Sequence, residues 1–134
     1  MKQLKFDKFE NILELKFKDL TLLEKSLTHK SYNSKNNYEK LEFLGDRVLA
    51  LVISNKLLEI YPDESEGIID KKFSNLVNRK TCASIAKKLN LRKYMFLGES
   101  FKNLKRSDDK ILSDCLEAVI GAIYLELGYN SAEK

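Results

Sequence analysis

Five carboxylates stand out by type and spacing. Glu39, Glu42 and Asp46 follow one another at +3 and +4. At ~100° per helical residue they fall within about a 60° arc, one stacked stripe. Further along, Asp114 and Glu117 are spaced +3, and Gly121 follows on the same face. A residue without a side chain there lets a backbone or a ligand come close. Acidic sets of this kind are common on solvated helix faces. Here they sit in apolar company: Phe43, Leu44 and Gly45 beside the first set, and Ile111, Leu112, Leu116, Val119, Ile120 and Ile123 around the second. If the two stripes face each other, charges ~4 Å apart repel by roughly 4 kcal/mol at an effective dielectric near 20. A cation must then compensate. Oxygen-only donors suit Mg²⁺ or Mn²⁺ and not zinc. Such a site is a common device for phosphoryl transfer.

The elements that must position these acids read as helices. One proline and five glycines leave long Lys/Glu/Leu-rich stretches uninterrupted. Leu4, Phe6, Phe9, Ile12 and Leu13 predict a short helix over 3–13. Asp19 or Thr21 can cap a second, with Leu20, Leu23 and Leu27 on one face. Residues 30–37 are a polar loop. A long helix over about 38–60 carries Leu41, Leu44, Val48, Leu51 and Val52 at i, i+3, i+7, which predicts a core seam opposite the acids. Tyr61-Pro62-Asp63 ends it. Helices follow near 66–78 and 80–89, with a turn at Asn90. Residues 98–107 read as a loop or a broken helix. A final long helix runs over 108–127 to Gly128, a good C-terminal cap, and Ser131–Lys134 look like the first turn of another. No stretch alternates as a strand. The prediction is all-α, one domain.

Composition narrows the function classes. The 134 residues suit a single domain, and 43% hydrophobic with 33% charged residues is globular. No run approaches a membrane span, and Met1–Lys5 holds no signal core. Two cysteines make no disulfide scaffold, and one histidine without a Cys-x-x-Cys argues against zinc. A reducing cytoplasm is expected. The net charge of +4, from 24 basic and 20 acidic residues, is mild for a nucleic-acid binder.

At the acids themselves the sequence resembles a known family. Glu39-Lys40-Leu41-Glu42-Phe43-Leu44-Gly45-Asp46-Arg47 matches the signature of ribonuclease III nuclease domains. Leu27-Thr28-His29-Lys30-Ser31, Glu66-Gly67 and Asp114–Ala122 resemble further family segments, so the likeness runs from about residue 3 to 134. It implies a helical, dimerising endonuclease domain that cuts double-stranded RNA with Mg²⁺, Mn²⁺ able to substitute, and no small-molecule cofactor. By that resemblance Glu42, Asp46, Asp114 and Glu117 hold metal, with Asp46 and Glu117 the most critical for hydrolysis. Glu39 and Glu66 match acids that shape the cleavage site from the RNA side, and Phe43 an aromatic that inserts into the partner of a homodimer. The products implied are 5′-phosphate ends with two-nucleotide 3′ overhangs, from ribosomal precursors and some messenger RNAs. Bacterial members carry a double-stranded-RNA-binding domain after the nuclease domain. Its absence here reads as trimming, and predicts weak, strongly salt-dependent RNA binding by these residues.

Other residues carry blander readings beside functional ones. His29 either touches RNA or orders the loop before Glu39. Lys102, Lys105, Arg106 and Lys110 form a basic run, with Lys110 the first choice for phosphate contact. Asn78-Arg79-Lys80 reads as closing a helix and complementing its dipole. Cys82 and Cys115 read as buried small hydrophobes. Phe6, Phe9, Phe17 and Tyr32 read as core or interface. Two competing functions remain: a catalytically silent relative that binds RNA or assists ribosome maturation, and a plain helical dimerisation domain. The first is disfavoured because all four acids are present; the second leaves the paired stripes unexplained.

Overall fold

The computed structural model describes residues 2–13, 15, 17–18, 20–98 and 108–128. Within them the chain forms seven helices: α1 (Lys2–Leu13), α2 (Leu20–Ser26), α3 (Glu39–Ile60), α4 (Glu66–Leu76), α5 (Arg79–Lys88), α6 (Leu91–Tyr94) and α7 (Asp108–Leu127). The only β pairing among these residues is an isolated parallel bridge from Thr28 to Phe96. The all-α expectation holds. Asp19, residues 99–107 and Ser131–Lys134, on which several sequence expectations fall, lie outside the described residues.

Local signals explain most boundaries. Tyr38 occupies the cap position of α3 without a side-chain bond, and Asn37 just before it accepts from Glu39 N (3.0 Å) through Oδ1, satisfying one free donor of the first turn. The Tyr61 N–H bonds Leu57 O (2.8 Å) and Pro62 stops the helix. Ser65 accepts from Ile68 N and opens α4. Asn90 takes a left-handed φ of 55°, which separates α5 from the short α6. Gly128, with φ 89°, closes α7 through its N–H to Tyr124 O.

Asn78 serves two helices. Its amide donates to Ser74 O and Asn75 O (3.0 Å each) and closes α4 as expected, while its Oδ1 accepts from Thr81 N (2.8 Å) and caps the start of α5. Arg79 and Lys80 therefore stand in a first turn, where the helix dipole disfavours cations.

Helix α7 is the central element, packed by α2, α3 and α5. Its faces bury Leu112, Cys115, Leu116, Ala118, Val119, Ala122 and Ile123, against Phe9, Leu23, Leu27 and Leu91 from the flanking helices. Phe6, Phe9, Phe17, Cys82 and Cys115 are buried as expected, whereas Tyr32 is exposed and leans on Phe96.

Helix α3 meets α7 at two glycines. A Cβ placed on Gly45 would lie 1.6 Å from the backbone oxygen of Glu117, and one on Gly121 would lie 2.3 Å from that of Leu41. The helices are in backbone contact. The close approach expected at Gly121 is real, and its partner is Gly45. The seam of α3 is accordingly Leu41, Gly45, Val48, Val52 and Leu57. Leu44 is only partly buried, and Leu51 is 58% exposed. The acids flank that seam instead of opposing it: Glu42 and Asp46 are centred about 110° from Leu41, Gly45, Val48 and Val52 by helical arithmetic. That rotation turns them toward α7.

The loop before α3 is pinned to the segment after α6. His29 N donates to Phe96 O (3.0 Å), Phe96 N to Leu27 O (2.9 Å) and Tyr38 N to Thr28 O (2.9 Å). Ser31 Oγ accepts from Gly98 N (2.9 Å) and lies 2.6 Å from His29 Nδ1.

Candidate active site

The crossing of α3 and α7 brings the two acidic stripes together. One carboxylate oxygen from each of Glu42, Asp114 and Glu117 lies within 4.8 Å of the others. Asp46 joins through a hydrogen bond with Glu117. It is the more open member, with a side chain 52% exposed and 3.4 Å from the Arg47 guanidinium.

The cluster is electrostatically overloaded. Burial first, then the charge of and a hydrogen bond with Asp114, push Glu42 up to about 7. Burial first, then a hydrogen bond with Asp46 and the neighbouring charges, push Glu117 up to about 8. A carboxyl–carboxyl hydrogen bond exists only when one partner holds a proton. At neutral pH, then, protons substitute for missing positive charge. Lys110 supplies some of it, its Nζ 2.8 Å from Asp114 Oδ2. The bond to Asp114 and its charge raise the Lys110 pKa. Oxygen donors alone, close together and short of positive charge, fit a hard divalent cation.

That balance has a sign. A carboxyl whose folded-state pKa lies above its ordinary 4.5 favours the fold when protonated. Its contribution is present below 4.5 and is lost as pH climbs to about 8. Without metal the protein is therefore expected to lose melting temperature between pH 5 and 8. Divalent cation should restore it, with an apparent affinity that rises with pH up to about 8. Melting curves at several pH values, with chelator and with Mg²⁺, check both. A metal-free melting temperature that climbs steadily from pH 5 to 8 would contradict this.

Two hollows flank Asp114. One is lined by Glu42, Glu39, Tyr38, His29, Lys30, Lys110 and Arg79, among others; the other by Asp46, Glu117, Ser113, Cys82, Asn78 and Arg79. Glu39 is exposed on the rim of the first. His29 is buried, its Nδ1 accepting from Ser31 N (3.0 Å) and its ring edge-on to Tyr38. Burial and the Lys30 charge lower its pKa. These contacts tie it to the loop ahead of Glu39, and it also lines the first hollow. Glu66 is exposed in the first turn of α4 and lines neither hollow. Phe43 is 62% exposed under the Arg47 guanidinium, 3.8 Å from its ring centre. Lys102, Lys105 and Arg106 lie outside the described residues.

Sequence reasoning missed Tyr38 and Arg79. Tyr38 is a buried wall of the first hollow, its hydroxyl pKa raised by burial and the nearby acids. Arg79 was available as a signal, since Asn78 is a favoured cap residue and marks a helix start there.

A family model described as Ribonuclease-III-like matches residues 19–134, and these contain all four clustered acids. The chain belongs to the ribonuclease III family. Among its ribonuclease III relatives, Ribonuclease 3 of Pelagibacter ubique is 57% identical over 95% of this chain and 57% of its own length. Ribonuclease 3 of a Nitratiruptor species is 46% identical over 96% of this chain and 56% of its own. The chain thus spans a little over half the length of these relatives. A nuclease domain of ribonuclease III from Campylobacter jejuni, described as flexible in a region involved in dimer formation, superposes with a TM-score of 0.90. It is 43% identical, over 94% of this chain and 89% of that one. Dicer from Pichia stipitis shares the fold at a TM-score of 0.65 and 30% identity, over 86% of this chain and 49% of its own. Among the described residues no helix is long and apolar enough to cross a membrane.

Proposed function

We propose that the chain is the nuclease domain of a cytoplasmic enzyme that hydrolyses double-stranded RNA. The observation that carries the reading is the meeting of Glu42, Asp46, Asp114 and Glu117 across the α3–α7 contact. Glu42, Asp114 and Glu117 would hold Mg²⁺, or Mn²⁺ in its place. The ion would supply Lewis acidity toward a phosphodiester and a reactive water at neutral pH.

The chain's own groups prepare that site. Asp46 lines the same hollow as Glu117 and acts on its charge, and by the family likeness these two acids are the most critical for hydrolysis. Lys110 neutralises Asp114 and lies where it can also meet a phosphate. His29 and Tyr38 hold the loop that presents Glu39 to the RNA, and Glu66 approaches the duplex from α4. No side-chain nucleophile is needed: the one histidine is buried, and burial pushes both cysteine thiols up.

The working unit is a homodimer, each copy cutting one strand. Phe43, Leu51 and Leu58 form an exposed apolar line on α3, a surface suited to a second copy. Ribosomal precursors and some messenger RNAs supply suitable duplexes.

The test is direct. The protein is incubated with a long RNA duplex and with single-stranded RNA, in Mg²⁺, Mn²⁺ or chelator. Duplex should be cut only with metal, leaving 5′-phosphates and two-nucleotide 3′ overhangs, while single strands persist. Duplex that survives in both metals would favour a silent RNA-binding module instead.

A further inference from the structure

Arg79 is unexplained by the fold. It stands in the first turn of α5 beside Lys80, with no acidic residue in that turn. A cation there opposes the helix dipole. Its side chain is exposed and makes no hydrogen bond or ion pair among the described residues. Of the other cations at the site, Lys110 is engaged on Asp114 at 2.8 Å and Arg47 on Asp46 at 3.4 Å and over Phe43, while Lys30 borders the first hollow only. Arg79 and Asp114 are also the two residues common to both hollows flanking the acid cluster. The guanidinium therefore borders the ground on which a phosphodiester must lie if the acids act on it.

From this placement we infer that Arg79 binds a phosphate of the RNA strand held over the acid cluster. The inference rests on the nuclease reading and adds a substrate-binding residue to it. Four acids repel a polyanion even when one divalent cation is present. A fixed cation beside them offsets that repulsion. Arginine suits the task better than lysine because its planar fork donates two parallel hydrogen bonds to phosphate oxygens. Lys80 provides an internal control. It has the same charge and is the next residue, but it lines a separate hollow with Ser84, Lys87, Lys88 and Asp109.

The experiment compares wild type, Arg79→Gln, Arg79→Lys and Lys80→Gln on a defined RNA duplex in Mg²⁺, across a range of salt. Arg79→Gln should raise KM about tenfold, the size expected for one charge-assisted hydrogen-bonding group, with kcat nearly unchanged. The slope of log(kcat/KM) against log salt should become shallower by about 0.9, the signature of one lost phosphate contact. Arg79→Lys should recover part of the KM loss. Lys80→Gln should change neither quantity appreciably, and no variant should melt below wild type, since each glutamine removes a cation that opposes the helix dipole. Unchanged KM and slope in Arg79→Gln, a loss confined to kcat, or an equal effect from Lys80→Gln would each overturn the inference. Duplex binding measured on the same proteins separates the two failures. A wild type that binds without cutting removes the nuclease reading and leaves Arg79 to be judged by Kd and its salt slope. A wild type that cuts while Arg79→Gln performs equally removes Arg79 alone. One that neither binds nor cuts removes both.

Discussion

Gly45→Ala is expected to destabilise the protein by more than about 4 kcal/mol, in the range where single substitutions are exceptional. The new methyl would sit 1.6 Å from the Glu117 carbonyl oxygen and 2.5 Å from its carbon. Both are backbone atoms inside a helix, so neither can swing aside as a side-chain tip could. The helices would have to part by at least about 1.5 Å, and a close-packed interior does not stretch by that amount. Leu41, Val48 and Val52, which pack beside the crossing, would lose contact together. A thermal melt should show a midpoint lowered by more than ~10 °C, or no cooperative transition. Gly67→Ala is the matched control. A Cβ there meets nothing within 4 Å, so the change should be neutral or slightly stabilising. Near-equal melting of the Gly45→Ala protein and wild type would mean that the helices do not cross at this point.

Glu117→Gln should abolish RNA cleavage while the protein stays folded. The substitution keeps the shape and removes an anionic oxygen from the centre of the cluster. Glu117 is bonded to Asp46 and grouped with Glu42 and Asp114, so the loss reaches every other acid. Outer partners of metal ligands typically cost 10–100-fold when removed, and a central acid should cost at least ~10²-fold in cleavage rate. Stability should move the other way. A carboxyl pushed up to about 8 weakens the metal-free fold when it ionises, and the amide cannot ionise. Above pH 8 the variant should melt a few degrees higher than wild type without metal, an effect softened because Glu117 is only partly buried. At pH 5 the two should coincide. Retained cleavage would remove Glu117 from the centre of the reaction, and lower stability at high pH would contradict the charge argument.

The helices, their all-α assembly and the two acidic stripes were legible because periodicity and spacing carry them. The orientation of α3 was not. That helix bears two apolar lines, Leu41–Val48–Val52 and Phe43–Leu51–Leu58, and periodicity cannot say which one faces the core. Periodicity alone therefore puts Leu51 on the wrong face. Gly45 was the overlooked clue, since a glycine inside a helix weakens it by ~1 kcal/mol and usually has a packing reason. Arg79 is hard to read for a local cause. Three polar residues between two apolar stretches can end one helix or begin the next, and here Asn78 does both, so only its bond to Thr81 N shows that Arg79 belongs to the second helix.

The glycine crossing also bears on when the site comes into being. A ribosome releases α3 well before α7 exists, so half of the carboxylates emerge without their counterparts. Nascent chains can gain little from a divalent cation until α7 docks on α3. Ion capture should thus trail tertiary assembly, and protection against a chelator would serve as a clock for the docking of α7 on α3.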